Sequence, residues 1–307
     1  MKLAFVFPGQ GAQSVGMMQS WSAHPEVHAT FSEASDVLGL DLWAMVCDGP
    51  AELLNQTVNA QPVMLAADIA VWRVWLASGG AMPRVLAGHS LGEYAALVVA
   101  GALGFADAIK LVRFRAEAMQ AAAPDGVGAM AAILGLDDDA VRAVCADAAE
   151  GEVAEAVNLN SPGQVVIAGH KAAVERAMVL AKARGAKRAL PLPISVPSHS
   201  SLMLPAAEKL LAYLETVTIL TPTIAVLHNT DVQSHGNAAD IRTALAKQLY
   251  TPVRWVETVQ ALKAAGIEHV VECGPGRVLA GLNKRIDDSL HTRALVDETS
   301  LQVELKN

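Results

Sequence analysis

The chain has 307 residues, enough to bury a large core in one large domain or two modest ones. A formal net charge of −8 argues against a general nucleic-acid surface, and no apolar run reaches the ~18–20 residues needed to span a bilayer. The composition is 52% hydrophobic but only 4% aromatic, an Ala-, Val- and Leu-rich content that suits the helix–sheet contacts of an α/β protein.

Residues 3–7 read as a buried strand. The apolar core of residues 1–7 is too short for a signal peptide and runs directly into Pro8-Gly9. The loop Pro8-Gly9-Gln10-Gly11-Ala12-Gln13 lets the backbone come close to something. It lacks the Lys-Ser/Thr of a phosphate-binding loop and the G-x-G-x-x-G spacing, so a backbone donor site beside a nucleophile fits it better. Residues 21–54 read as helical segments broken at His24-Pro25 and Asp48-Gly49-Pro50. Residues 57–76 carry an apolar helical face and end at Ser78-Gly79-Gly80, a helix stop. Trp72 and Trp75 on it are expected to be packing residues.

Val85-Leu86-Ala87-Gly88-His89-Ser90-Leu91-Gly92-Glu93-Tyr94 reads as a strand, a sharp turn holding a serine, and the start of a helix. Gly88 and Gly92 flank Ser90 in the G-x-S-x-G spacing of a nucleophile elbow. The chains before and after such a turn nearly touch, so residues without a side chain are required at the crossing. The serine hydroxyl then emerges at a helix N-terminus, where free amides can stabilise an oxyanion. A further helix covers residues 105–123. Arg113 and Arg115 on it are ~200° apart around the axis, so one points inward only if the other points out.

From residue 125 the order is strand 129–134, helix 137–149, strand 153–159, turn 160–164, strand 165–169, helix 171–184 and strand 187–194. This β-α-β-β-α-β order is a ferredoxin-like unit. It is expected to form a small lobe over residues 125–195, inserted into a larger lobe made of residues 1–124 and 196–307. Helices at 205–215, 238–249 and 256–265, strands at 224–228 and 269–272 and a last helix at 278–284 complete the larger lobe.

A serine hydroxyl needs an adjacent base. Of the nine histidines, His24, His28, His170, His235 and His291 are expected at the surface, and alternation should turn His89 away from Ser90. His228 closes an apolar strand and stays a candidate. His199 is the stronger one: it follows the stiff Pro191, Pro193 and Pro197, sits at a helix entrance, and comes after the serine, as in α/β-hydrolase-like sites. No Asp or Glu stands out as an orienting third member, so an amide or backbone carbonyl is an alternative holder of the imidazole. Cys47, Cys145 and Cys273 are far apart with no metal-ligand spacing, and are read as reduced, buried cysteines of a cytoplasmic protein.

Phe7-Pro8-Gly9-Gln10-Gly11, Gly88-His89-Ser90-Leu91-Gly92-Glu93-Tyr94, Arg115, Asn160-Ser161-Pro162-Gly163-Gln164, Val196-Pro197-Ser198-His199 and Gln248-Leu249-Tyr250-Thr251-Pro252-Val253 together resemble the malonyl-CoA:acyl carrier protein transacylases of bacterial type II fatty-acid synthesis. The resemblance runs in register along essentially the whole chain. It implies an α/β-hydrolase-like lobe with an inserted ferredoxin-like lobe. It also implies that Ser90 carries the malonyl group, that His199 is general base and acid, and that Gln248 orients His199 through its carbonyl. The amides of Gln10 and Leu91 would form the oxyanion hole, Arg115 would bind the malonyl carboxylate, and Asn160 would lie in the cleft between the lobes. A planar guanidinium suits the carboxylate on physical grounds too, through two parallel charge-assisted bonds.

No cofactor or metal is implied, since coenzyme A and phosphopantetheine travel with the substrates. The expected partners are malonyl-CoA and an acyl carrier protein. Such carriers are acidic, so docking needs a local basic patch. Lys182, Arg184, Lys187 and Arg188 in the small lobe and Lys284 and Arg285 in the large one are the clusters available. Nothing demands more than a monomer. Rival readings are a related transacylase of malonate decarboxylase or polyketide assembly, a serine thioesterase, and a non-catalytic carrier-binding module.

Overall fold

Leu3–Phe7 (β1) is buried at every position, as an apolar run must be when both faces of its sheet are covered. In this computed structural model, residues 2–194 and 196–306 are described; Met1, Ser195 and Asn307, which end the expected segments, lie outside them. β1 is the middle of a five-stranded parallel sheet in which Val85–Gly88 (β2) flanks it on one side. The other strands follow in chain order: Gly128–Leu134 (β3), Ala154–Ser161 (β4), Gln164–His170 (β5), Arg188–Pro191 (β6), Ala225–Leu227 (β7), His269–Cys273 (β8) and His291–Leu295 (β9). The parallel sheet runs β7-β2-β1-β8-β9 and a second, antiparallel sheet runs β4-β5-β3-β6. That second order, with the Asp138–Ala149 and Lys171–Ala183 helices between its strands, is the ferredoxin-like pattern.

The two sheets have separate cores. Ile133, Val165 and Ile167 of the small sheet pack on Val141, Val144, Val174 and Ala177 of its two helices. The main core gathers around Phe5, Phe7 and the Thr57–Ala77 helix, where Trp72 meets the Phe5 ring edge-on, with centroids 5.2 Å apart. This helix is buried on nearly all sides rather than along one face. It therefore lacks the amphipathic pattern of a surface helix.

Strand β4 runs on through Asn160 and Ser161, leaving Pro162 and Gly163 as the turn instead of the expected 160–164. Gly163 has φ +73°, the left-handed conformation a type II turn requires at its second central residue, after a proline at the first. β4 also joins the lobes: the Val253 amide donates to the Val157 carbonyl (2.9 Å) and the Leu159 amide to the Val253 carbonyl (3.0 Å). Two elements went unread in the sequence, β9 and the Glu298–Glu304 helix. β9 is an edge strand with mostly half-exposed residues and the helix has seven residues, so neither carries a strong apolar period. Cys145 and Cys273 are buried and unpaired, but Cys47 is only partly buried.

Candidate active site

Ser90 adopts φ +52°, a left-handed conformation that non-glycine residues hold only when their surroundings force it. The forcing is visible around it. A Cβ on Gly88 would stand 1.9 Å from the Gly92 carbonyl carbon, and one on Gly92 would stand 2.1 Å from the Phe7 carbonyl oxygen. Strand β2, the Gly92–Val99 helix and the end of β1 therefore meet backbone to backbone, and the serine is pressed outward. Gly9 closes the site from the other side, since a Cβ there would lie 2.5 Å from the His89 carbonyl oxygen.

The Ser90 Oγ is 2.7 Å from His199 Nε2, and His199 Nδ1 is 2.7 Å from the Gln248 backbone carbonyl oxygen. A carbonyl only accepts, so Nδ1 carries the proton and Nε2 is left to accept the serine hydroxyl. Burial of the ring and the nearby Arg115 cation push the His199 pKa down to about 3, against the pull of the Gln248 carbonyl. The imidazole is thus neutral and a proton acceptor. Among the described residues, no acidic side chain takes the orienting place.

Arg115 is 1% exposed and turns inward. Its Nη1 donates to Gln61 Oε1 (2.9 Å), and its Nη2 donates to Gln248 Oε1 (3.0 Å) and Ser90 Oγ (3.2 Å). Its Nε, also buried, has no partner among the described residues. Arg113 turns the other way, to Glu117 and the Val58 carbonyl. Two glutamine carbonyls therefore aim the guanidinium at the nucleophile; among the described residues no carboxylate bonds to it directly, and buried Glu93 acts on it only through space.

The Ser90 backbone amide donates to Asn229 Oδ1 (2.7 Å), and Asn229 Nδ2 donates to the Gly88 carbonyl (2.7 Å). Behind them lies Glu93, fully buried. Gln61, Glu93 and Asn229 were not singled out in the sequence. The available signal was a polar residue inside an otherwise apolar or small-residue stretch of helix, as with Gln61 in 60–67 and Glu93 in 92–99. His228 is no rival base: its Nδ1 donates to Glu93 Oε1 (2.7 Å) behind the elbow.

A cleft of about 480 Å³ opens over Ser90, His199 and Arg115, walled on the small-lobe side by Met130, Val166 and Asn160. Asn160 Oδ1 is 2.8 Å from His89 Nε2, so His89 reaches the other lobe while lining the same cleft as Ser90. Gln10 lines the same cleft. Among the described residues, neither the Gln10 amide nor the Leu91 amide has a hydrogen-bond acceptor.

Arg188 and Lys284 are exposed. Arg188 pairs with Leu134 in β3, which pairs with Gln164 in β5, placing Arg188 and Gln164 about 10 Å apart at one end of the small sheet. Arg285 Nη2 donates to Gln164 Oε1 (2.9 Å) across the lobes, and Gln164 lines the cleft. Arg188 and Arg285 thus gather at one rim, with Lys284 next in sequence. Among the surface histidines, His24 pairs with Glu298 and His291 stacks on His269 from β9. Among the described residues, no cluster of three or more His, Cys, Asp or Glu side chains could hold a metal ion. Among the described residues, no helix is long and apolar enough to cross a membrane.

A serine at a strand-to-helix elbow, bonded to a neutral imidazole under an oxyanion-ready loop, defines the class of α/β proteins built for covalent acyl transfer. Residues 4–296 match the acyl transferase domain family. The chain is 55% identical over 305 residues to the malonyl CoA-acyl carrier protein transacylase of Salmonella typhimurium (strain LT2), covering 99% of both. It superposes with a TM-score of 0.98 and 57% identity on an acyl-carrier-protein S-malonyltransferase from Burkholderia pseudomallei 1710b, over 100% of each chain. A malonyl-transacylase solved in complex with its type II PKS acyl-carrier protein gives a TM-score of 0.99 at 52% identity, again over 100% of each. The chain belongs to the acyl transferase family, on its malonyl CoA-acyl carrier protein transacylase branch.

Proposed function

We propose that this protein moves a malonyl group from coenzyme A to the phosphopantetheine thiol of an acyl carrier protein through a malonyl-serine intermediate. One observation carries the reading. Ser90 Oγ is shared between a neutral imidazole at 2.7 Å and a buried guanidinium at 3.2 Å that has no direct ion pair among the described residues. In a malonyl group the carboxylate carbon lies only about 2.5 Å from the thioester carbonyl carbon, so the cation that binds one must border the nucleophile that attacks the other.

The steps follow from the side chains. His199 Nε2 takes the Ser90 proton as Oγ attacks the thioester carbonyl, and the Gln10 and Leu91 amides receive the developing oxyanion. The C–S bond breaks, and coenzyme A leaves as its sulfur takes that proton from His199. The pantetheine thiol then enters, gives its proton to His199, and attacks the acyl-serine. Ser90 regains a proton as the malonyl thioester departs. Arg115 holds the malonyl carboxylate throughout and Asn160 lines the path of the arm. Gln248 holds the imidazole by its backbone carbonyl and the guanidinium by its side chain. The chemistry uses no cofactor or metal of the protein's own.

The remaining assignments belong to the same reading. Residues 1–124 and 196–307 form the catalytic lobe and 125–195 the smaller one, and the protein works as a cytoplasmic monomer. Arg188, Lys284 and Arg285 receive the acidic carrier. Fatty-acid synthesis is the pathway supplied. The relative crystallised with a polyketide carrier makes polyketide assembly the second reading, decided by comparing the two carriers as acceptors. The central test is malonyl-CoA alone: one stoichiometric burst of coenzyme A and a malonyl adduct on Ser90 are expected. Continuous turnover without an acceptor would instead identify a thioesterase.

A further inference from the structure

Glu93 accepts three hydrogen bonds on one fully buried carboxylate. His228 Nδ1 donates to Oε1 at 2.7 Å, while the Asn229 amide (2.8 Å) and Gln248 Nε2 (3.0 Å) donate to Oε2. Two of the three donors lead on into the site. Asn229 holds the Ser90 amide. Gln248 holds His199 through its backbone carbonyl and Arg115 through its side-chain carbonyl. The Gln248 amide is planar, and a carboxylate only accepts. Glu93 therefore fixes which end of that amide faces it. The NH2 group must point to Glu93 and the Ser90 carbonyl (3.0 Å), so the oxygen must point to Arg115.

We propose that Glu93 is a positioning residue for malonyl recognition, because its buried carboxylate sets the orientation of the Gln248 amide and thereby aims the Arg115 guanidinium beside Ser90. The proposal rests on the malonyl-transfer reading above. A glutamine at position 93 fills the same space but offers an NH2 group where Oε1 or Oε2 now accepts. An NH2 in the Oε1 place leaves His228 without its acceptor; in the Oε2 place it leaves both the Asn229 amide and Gln248 Nε2 without theirs, and the Gln248 amide is then free to turn its own NH2 toward the cation. The elbow glycines are untouched, so acetyl transfer, which has no carboxylate to place, is affected less.

The experiment compares full-length wild type, Glu93→Gln and Glu93→Asp with malonyl-CoA and acetyl-CoA as donors and an acyl carrier protein as acceptor. Melting temperature and burst amplitude are read in parallel. Glu93→Gln is expected to lower malonyl kcat/KM by about ten- to a hundredfold, the range of one charged hydrogen bond lost, with a smaller loss for acetyl and an undiminished burst amplitude. Glu93→Asp keeps the charge and is expected to recover part of the malonyl-to-acetyl ratio. Equal losses with both donors, or an unchanged ratio, overturn the proposal. If Glu93→Gln does not fold, Glu93→Asp decides: an intermediate ratio supports the proposal and a wild-type ratio overturns it. A wild type that forms no malonyl-serine overturns the functional reading itself, and this proposal with it.

Discussion

Ser90 Oγ and Arg115 Nη2 stand 3.2 Å apart, so the nucleophile and the cation share a hydrogen bond before any substrate arrives. A carboxylate reaching Arg115 competes for that bond and leaves the hydroxyl to His199 alone. Recognition and activation are then one event. An acyl group without a carboxylate leaves a buried cation unpaired, which is unfavourable by several kcal/mol where the dielectric is low.

Arg115→Ala is accordingly expected to lower malonyl transfer by at least about a hundredfold, the scale of a buried charged pair, while acetyl-CoA becomes the better donor of the two. Parallel donor titrations measure this. Selectivity equal to wild type would remove Arg115 from the substrate's path.

The acid limb of the acylation rate should lie well below the 6.5 of an ordinary imidazole, because burial and the Arg115 cation push His199 down to about 3. The active form is the neutral ring. Activity is therefore present above the folded-state pKa and lost as pH falls through it. Arg115→Ala removes one of the three depressing causes, leaving burial and the nearby His89, and should move that limb upward. Stopped-flow acylation with acetyl-CoA, which carries no titrating carboxylate, reads the ring directly. A limb near 6.5 in the wild type would contradict the buried environment.

Glu272 lies beneath the Val278–Ile286 helix, accepting from the Leu279 (3.0 Å) and Ala280 (2.8 Å) amides. Burial nonetheless raises its pKa from 4.5 to about 7, against the pull of those amides. The folded state binds this proton more tightly than the unfolded one. Its contribution is thus full at low pH and is lost as pH rises from 4.5 to about 7. Glu272→Gln should flatten the stability–pH curve over that window, a difference of roughly 3 kcal/mol. Urea melts of both proteins at several pH values measure the slope, and identical slopes would refute it.

Reversing Arg188 and Lys284 together to glutamate should raise KM for an acidic carrier by about three- to tenfold, with KM for malonyl-CoA unchanged. The effect should shrink as salt is added. Equal shifts for both substrates would place the two residues outside the carrier's path.

By itself the sequence determined the elbow, the alternation of strands and helices, and the inserted ferredoxin-like order, because these are local: steric demands of Gly88 and Gly92, periods of apolar residues, turns at Pro and Gly. It also marked Ser90, His199 and Arg115, through spacing and through a resemblance carried by scattered motifs. β9 and the Glu298–Glu304 helix escaped, being short and half-polar. What only the tertiary structure decided is how groups far apart in the chain meet. Ser90 and His199 are 109 positions apart, Arg115 and Gln248 133, and Glu93 and Gln248 155. The His199 tautomer and the direction of the Gln248 amide both depend on which acceptor stands opposite which donor in a buried space. That is a property of packing in three dimensions, which no local period along the chain records.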